Sequence, residues 1–156
     1  GQVLARYLLG RPALMQGRRI LDFGCGSGVV AIAAALAGAR EVIACDNDDL
    51  ALRATDCNAR LNGVSLTLEN DYASLTGGID LILVADVLYD RANLGWLNEF
   101  SARAPVVLLA DSRIRDFDVP PYRRIATCES RTVPDLDESR EFNRVAIYRA
   151  DAPVSG

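Results

Sequence analysis

The stretch LDFGCGSG, residues 21–28, decides the fold of this chain. It follows a compact apolar run at 18–23, typical of a buried strand, and precedes an Ala-, Val- and Ile-rich run at 29–37, typical of a helix packed on a sheet. Alternate glycines let a backbone turn tightly and approach a ligand closely, and the helix N-terminus behind them favours polar or anionic groups. The stretch therefore predicts a strand–loop–helix unit whose loop either binds a ligand or is a plain turn.

The spacing of the glycines and a later carboxylate favour a nucleoside ligand. The dinucleotide fingerprint G-x-G-x-x-G/A, counted from Gly24, places its last small residue at Val29 and does not fit. The run EVIAC at 41–45 predicts a second strand, and Asp46 ends it 18 residues after Gly28. A carboxylate there can accept hydrogen bonds from both hydroxyls of a ribose. Asp46 alone could equally begin the next helix, but together with the loop it predicts a site.

Apolar patterning over the rest of the chain predicts helices and strands in alternation. An amphipathic helix is expected around residues 3–8, and Asp48 or Asp49 is expected to cap a helix at 50–61 that Asn62-Gly63 ends. At most one helical turn is expected within 71–78. A further helix is predicted at 93–103, and further strands at 64–68, 79–85, 105–110, 124–128 and 142–148.

This alternation predicts one α/β domain over residues 1–156 with right-handed crossovers. Residues 1–17 are expected to form the N-terminal helix and a linker. The last two strands, joined by a polar loop at 131–140, are expected to be antiparallel to each other. The chain opens on Gly1 rather than Met, so a segment upstream is expected to be missing.

The cation composition excludes several enzyme classes. The chain has 156 residues, its 17 cationic side chains are all arginine, and it has no histidine. Without an imidazole there is no Ser-His-Asp or Cys-His nucleophile, and without lysine there is neither a P-loop nor a pyridoxal Schiff base. Metal sites would be limited to carboxylates and thiols, and none is expected. The remaining chemistry needs carboxylates, tyrosine or a bound cofactor.

The charge and the cysteines bear on partners and location. A net charge of −4 and a pI near 4.8 argue against nucleic acid as the main partner. The four cysteines show no C-x-x-C spacing and are expected to be small buried hydrophobes in a reducing compartment, the cytoplasm; they are Cys25, Cys45, Cys57 and Cys128. No apolar run reaches membrane-spanning length and no signal peptide is recognised, so no membrane partner is expected.

LDFGCGSG followed by VIACD resembles the S-adenosylmethionine loop and ribose-binding acid of class I methyltransferases. The resemblance covers nearly the whole chain and implies a Rossmann-like, doubly wound, seven-stranded sheet of order 3-2-1-4-5-7-6 with strand 7 antiparallel. It also implies S-adenosylmethionine as the cofactor. By this resemblance Asp46 holds the ribose, Asn47 lies beside the adenine, and Asp71 with its neighbour Tyr72 lies at the adenine amino group. A solvated turn is the alternative for Asp71.

The same resemblance assigns the methionine and ribose pocket to the loop. Its shape is implied to come from Asp22 and the three glycines, with Cys25 filling space rather than acting as a nucleophile. Asp86 is implied to serve both the cofactor and the acceptor. The full set of cofactor-binding residues that the resemblance implies is Asp22, Gly24, Cys25, Gly26, Ser27, Gly28, Asp46, Asn47, Asp71, Tyr72 and Asp86.

The end of the fourth strand, ADVLYD at 85–90, carries the candidate catalytic residues Asp86 and Tyr89. Ligands of open parallel sheets lie outside the carboxyl ends of the strands. Members of the class that the chain resembles usually carry an Asn-Pro-Pro-Tyr-type motif here when they methylate adenine or glutamine amides. This chain has none, so the resemblance implies a different acceptor. Asp-x-x-Tyr resembles a motif of a lysine-methylating subgroup. Together with DFGCGSGVVAIAAALAGA at 22–39 and LNG at 61–63, it resembles the electron-transfer-flavoprotein β-subunit lysine methyltransferase group, whose bacterial relatives are often called nicotinamide N-methyltransferases. Core packing is the alternative for Tyr89.

This resemblance implies an N-methyltransferase acting on protein lysine, or alternatively on a small amine or pyridine. The ordinary pKa of aspartate, about 3.9, lies far below the about 10.4 of lysine. Asp86 is therefore expected to orient the amine while water takes the proton, with Tyr89 as a second hydrogen-bond partner or pocket wall. An NAD-dependent oxidoreductase and a non-catalytic binding module remain as other hypotheses.

Some further residues have simpler interpretations. Trp96 and Phe100 are expected in the core. The run Asp111-Ser112-Arg113, at the end of the fifth strand, is expected in a surface turn, with contact to the acceptor as the alternative.

Overall fold

A seven-stranded sheet forms the centre of the molecule, as seen in a computed structural model that describes residues 1–87, 95–112, 118–129 and 144–153. The strand order is β3-β2-β1-β4-β5-β7-β6, and β7 runs antiparallel to both of its neighbours. The predicted order and the antiparallel ending are confirmed. The strands are β1 Arg19–Phe23, β2 Glu41–Cys45, β3 Thr67–Glu69, β4 Leu81–Ala85, β5 Val106–Asp111, β6 Arg123–Glu129 and β7 Arg144–Asp151.

Four α-helices flank the sheet within the described residues. Their bounds are α1 Gln2–Leu9, α2 Val29–Leu36, α3 Asp49–Leu61 and α4 Trp96–Arg103. Two short 3₁₀ turns, Pro12–Leu14 and Tyr72–Ser74, lie between elements. None of the helices in these described ranges is long and apolar enough to cross a membrane.

Alternate strand residues build a separate core on each face of the sheet. Ile20 and Leu81 of β1 and β4 pack with α1 and α2 on one face. Their neighbours Leu21 and Ile82 pack with α4 on the other face, where Phe100 is fully buried. Because both faces are covered, β4 is apolar nearly throughout, as expected for a central parallel strand.

The ends of α3 are fixed by local hydrogen bonds. Asp48 is the N-cap, since its Oδ1 accepts a hydrogen bond from the Leu50 backbone nitrogen at 2.9 Å. At the other end Gly63 has φ +68°, and the nitrogen of Val64 donates to the Ala59 carbonyl at 3.0 Å. Val64 is therefore part of the hydrogen-bonded C-terminus of α3, and β3 is shorter than the strand expected at 64–68.

Other expectations need correction or lie outside the described residues. Asp111 is the buried last residue of β5, where it pairs with Ala146 of β7, so the surface-turn interpretation is wrong for it. Cys25 and Cys45 are buried as expected, whereas Cys57 is exposed. The loop predicted at 131–140 lies outside the described residues, as do the first residues of the segments expected at 93–103 and 142–148.

Candidate active site

A cleft of about 590 Å³ opens at the edge of the sheet where the parallel strands β1, β2 and β4 end. A smaller hollow of about 290 Å³ lies beside it over the glycine loop, which is residues 24–28. The cleft brings together six of the sequence-predicted site residues, namely Gly24, Asp46, Asn47, Asp71, Tyr72 and Asp86. The hollow is lined by five, namely Asp22, Gly24, Cys25, Gly26 and Ser27.

The three glycines of the loop all have left-handed backbone angles. Their φ values are +70° at Gly24, +54° at Gly26 and +88° at Gly28, which side-chain-bearing residues adopt at a cost. A Cβ on Gly24 would lie 2.8 Å from Val87, and one on Gly28 would lie 2.8 Å from Thr55. A Cβ on Gly26 would meet nothing within 4 Å, so the space above Gly26 is open to a ligand.

Asp46 joins the glycine loop to the start of α3. Its Oδ2 accepts a hydrogen bond from the Gly26 nitrogen and its Oδ1 accepts one from the Asp48 nitrogen, both at 3.0 Å. The helix cap is Asp48, so Asp46 is not the capping residue. Each carboxylate oxygen has a second lone pair, which leaves Asp46 able to accept hydrogen bonds from a ligand in the cleft.

Asp22 is a buried carboxyl beneath the loop, with 2% of its surface exposed. Burial raises its pKa to about 7, and a hydrogen bond from the Ala31 nitrogen to Oδ2 opposes this rise. The carboxyl therefore fastens the first turn of α2 to the end of β1.

Asp71 and Tyr72 form the far wall of the cleft. Asp71 caps the 3₁₀ turn, because its Oδ1 accepts from the Ala73 nitrogen at 3.1 Å and its Oδ2 from the Ser74 hydroxyl at 2.9 Å. It is an exposed turn residue and also a lining residue. The Tyr72 hydroxyl donates to Glu99 at 3.3 Å, and burial, with the nearby Glu99 charge, raises the pKa of Tyr72 to about 12.

An aromatic cluster supports this wall. Phe23 lies 4.8 Å from Trp96 and from Phe100, and Tyr72 lies 5.2 Å from Trp96, between ring centroids. Phe100 is in the core as expected. Trp96 packs against the same core but is only partly buried, and it lines the cleft.

Asp86 follows β4 in a left-handed conformation with φ +54°, and its backbone nitrogen donates to the Ala110 carbonyl at 2.9 Å. Aspartate tolerates this region better than most residues, and strained backbone of this kind clusters at functional sites. The carboxylate is 46% exposed and lies 3.0 Å from the Gly1 amino nitrogen. The other candidate catalytic residue, Tyr89, lies outside the described residues.

Two residues of α3 that the sequence interpretation missed also hold the loop. Thr55 is buried and its hydroxyl donates to the Gly26 carbonyl at 2.9 Å, while the Asn58 amide donates to the Ser27 carbonyl at 2.8 Å. The sequence did offer one indication: the two residues are three positions apart, which places two polar side chains on one face of the helix. Nothing in the sequence says that this face meets the loop.

The cleft is acidic over its described lining. It contains the carboxylates of Asp46, Asp71 and Asp86 and, among the described lining residues, no arginine. Such a lining attracts a cationic ligand and disfavours a phosphate backbone.

Comparisons with known proteins identify the family of the chain. The fold and the loop–Asp46 pair define a Rossmann-like protein with a candidate nucleoside cleft. The model of the ribosomal protein L11 methyltransferase (PrmA) family matches residues 6–92, more than half of the chain. The chain belongs to this family.

Individual relatives differ in how much of them the chain resembles. It is 40% identical to the electron transfer flavoprotein beta subunit lysine methyltransferase of Danio rerio over 132 residues, which are 80% of this chain and 51% of that protein. It is 60% identical over 50 residues to the ribosomal protein L11 methyltransferase of Stenotrophomonas maltophilia, covering 32% of this chain and 16% of that protein. The chain thus spans about half the length, or less, of these curated relatives.

Solved structures agree on the fold. Magnesium protoporphyrin IX methyltransferase from Synechocystis PCC 6803, crystallised with bound S-adenosylmethionine, superposes with a TM-score of 0.68 at 20% identity, covering 97% of this chain and 77% of that one. At this identity the likeness shows the fold alone.

Proposed function

We propose that the chain is an S-adenosylmethionine-dependent N-methyltransferase that methylates a lysine of a protein. The observation that carries the proposal is the glycine loop, open above Gly26, with Asp46 beside it in the cleft. Membership of a methyltransferase family and the 40% identity to a lysine methyltransferase support it. They favour methyl transfer over the NAD-dependent and non-catalytic alternatives.

The residues around the loop suit S-adenosylmethionine. The open space over Gly26 is a cradle that any side chain at that position would fill. We propose that Asp46 accepts hydrogen bonds from the ribose with Asn47 beside the adenine, and that Asp71 and Tyr72 bound the adenine end. The cofactor supplies an activated methyl group, so this chain needs to position rather than activate. The methionine end would lie over Asp22, Gly24, Cys25, Gly26, Ser27 and Gly28.

The acceptor is proposed to enter beside Asp86. A carboxylate at the end of β4 can hold a lysine ammonium or orient the neutral amine through a hydrogen bond. Burial raises the pKa of the Cys25 thiol to about 12, which keeps it protonated and suits a space-filling role. We propose Tyr89 as a second hydrogen-bond partner of the acceptor or a wall of its pocket. The acidic cleft lining and the net charge of −4 support a basic protein acceptor over a nucleic acid.

Ligand binding tests the cofactor assignment. Isothermal titration with S-adenosylhomocysteine should give saturable one-to-one binding, and Asp46→Ala should weaken it at least about tenfold because a charge-assisted hydrogen bond is lost. Asp56→Ala is the control, since Asp56 pairs with Arg60 on the exposed side of α3. The proposal fails if the unchanged chain does not bind, and NADH fluorescence enhancement on mixing would instead revive the oxidoreductase.

Methyl transfer identifies the acceptor class. With radiolabelled S-adenosylmethionine, we expect label in electron transfer flavoprotein beta subunit, and acid hydrolysis should release it as methyllysine. Nicotinamide, a ribosomal protein and RNA are the comparison acceptors. Label in nicotinamide alone would replace lysine by a small pyridine, and label in RNA alone would contradict the argument from charge.

We propose a reducing compartment, the cytoplasm, as the location. The four cysteines are free and one of them, Cys57, is an exposed thiol. Such thiols persist where glutathione and thioredoxin keep them reduced.

A further inference from the structure

We propose that Thr55 and Asn58 of α3 are positioning residues that hold the glycine loop in its ligand-binding conformation. The inference rests on the proposed function, because the loop is the part of the cleft assigned to the cofactor. It goes beyond that function by adding a helix that does not line the cleft or the hollow in its described part.

The loop needs such support because of its own composition. Gly24, Gly26 and Gly28 have φ between +54° and +88°, and glycine populates other regions of the map about as readily. A loop of alternate glycines is therefore free to leave the binding conformation unless its peptide groups are held. Fixing the backbone of each loop residue costs conformational entropy, and a ligand would otherwise bear that cost on binding.

Thr55 holds the centre of the loop. Its side chain is fully buried and its Oγ1 donates to the Gly26 carbonyl at 2.9 Å. The Cys25 sulfur lies 3.5 Å from the same hydroxyl. A single side chain thus connects two consecutive loop residues.

Asn58 extends this attachment by one residue. Its Nδ2 donates to the Ser27 carbonyl at 2.8 Å, three positions along α3 from Thr55. Residues three apart lie on the same helix face, so one face of α3 binds the loop over residues 25–27.

Gly26 is consequently held on both sides. Its nitrogen donates to Asp46 at 3.0 Å and its carbonyl accepts from Thr55 at 2.9 Å. Asp46 belongs to the proposed ribose contact, whereas Thr55 and Asn58 act from behind the loop. Through these two side chains, α3 holds the loop in its binding conformation before a ligand binds.

The packing of Thr55 can be separated from its hydrogen bond. A Cβ on Gly28 would lie 2.8 Å from the Thr55 methyl carbon, so that methyl also fills the space against Gly28. Thr55→Val keeps a branched side chain of the same shape and removes the hydroxyl. Thr55→Ser keeps the hydroxyl and removes the methyl.

The test compares S-adenosylhomocysteine binding and thermal unfolding for these variants and the unchanged chain. We expect Thr55→Val to weaken binding by about five- to tenfold, the equivalent of one lost hydrogen bond. Thr55→Ser should bind within about twofold of the unchanged chain although its Tm falls through the lost methyl. A purely structural role would instead make affinity follow Tm in both variants.

Asn58→Ala is the second variant, chosen because Asn58 is only half-buried, and we expect it to weaken binding about fivefold. Asn62→Ala is its control, since Asn62 is the C-cap that follows α3, one turn beyond Asn58, and its side chain donates to the Asn58 carbonyl rather than to the loop. Equal affinities for Thr55→Val, Asn58→Ala and the unchanged chain would overturn this inference alone. Absence of binding by the unchanged chain would overturn the proposed function and this inference with it.

Discussion

Asp22 carries the clearest pH signature at the scale of single residues. Its pKa is raised from the ordinary 3.8 to about 7, mainly by burial. Between these two values the folded state keeps a proton that the unfolded state has lost. The free energy of unfolding therefore falls as pH rises through this window. Above about pH 7 the carboxyl is ionised in both states, and the cost of burying its charge in the folded state is then fully present.

We expect Asp22→Asn to remove this dependence. The stability of the unchanged chain relative to the variant should fall by up to about 4 kcal/mol between pH 4 and pH 7.5. Urea unfolding at several pH values without cofactor measures it. The comparison of the two chains cancels titration of the exposed carboxylates, and a pH-independent difference would contradict the burial argument.

The same substitution at two glycines of the loop should affect mainly stability at Gly28 and mainly ligand binding at Gly26. Gly28→Ala places a methyl 2.8 Å from Thr55 at φ +88°, so it should cost roughly 2–4 kcal/mol of stability through clash and strain. Gly26→Ala meets open space and should cost about 1–2 kcal/mol from φ alone.

Gly26→Ala should nevertheless weaken S-adenosylhomocysteine binding more than tenfold, because its methyl projects into the space assigned to the ligand. Urea unfolding and calorimetric titration of both variants give the two quantities. Normal binding by Gly26→Ala would place the ligand elsewhere.

At the scale of elements, the start of α3 depends on Asp48. Its Oδ1 accepts from the Leu50 nitrogen at 2.9 Å, and loss of an N-cap carboxylate costs about 1 kcal/mol. We expect Asp48→Ala to lower the free energy of unfolding by that amount in urea titrations. Asp49→Ala, which removes a charge from the same first turn without removing the cap, should cost less, and an equal loss would assign the effect to charge alone.

The elements themselves were largely predictable from the sequence. The bounds of β2 and the glycine-ended α3 follow from apolar patterning and capping residues. The apolar pattern predicted a strand beginning at Val64, but the Val64 nitrogen donates a hydrogen bond to the Ala59 carbonyl at the end of α3, so Val64 is not part of β3. Asp111 was misplaced for a long-range reason, because antiparallel pairing with β7 buries a strand end that looks like a turn.

The site was predictable only where its residues are adjacent in sequence or follow a strand. The loop, Asp46 and Asp86 were found this way. Thr55 and Asn58 act through contacts about 30 residues distant in sequence, and helical spacing alone cannot say which partner a polar face meets.

At the scale of the whole molecule, one tryptophan reports on the cleft. Trp96 is the only tryptophan of the chain and lines the cleft while packing on the α4 core. We expect S-adenosylhomocysteine to change its emission saturably, with the same Kd as calorimetry gives. Asp46→Ala should shift that titration to higher concentration, and unchanged emission at calorimetric saturation would place the ligand away from Trp96.

Ligand binding should also stabilise the whole fold. At a ligand concentration 100 times Kd, linkage adds about 2.7 kcal/mol to the free energy of unfolding, and differential scanning fluorimetry should show this as a rise in Tm. If the ligand binds in calorimetry but the Tm does not change, the unfolded state must bind the ligand as well as the folded state does.

The exposure of Cys57 gives the molecule a ready chemical handle. It lies on α3 between the two residues that hold the loop, while Cys25 and Cys45 are buried and Cys128 is partly covered. A maleimide dye should therefore react first at Cys57, and without lysine in these 156 residues amine-reactive reagents have no side chain to modify. Paired with Trp96 as a donor, such a label would allow the distance between helix and cleft to be followed in real time by energy transfer, without introducing a single mutation.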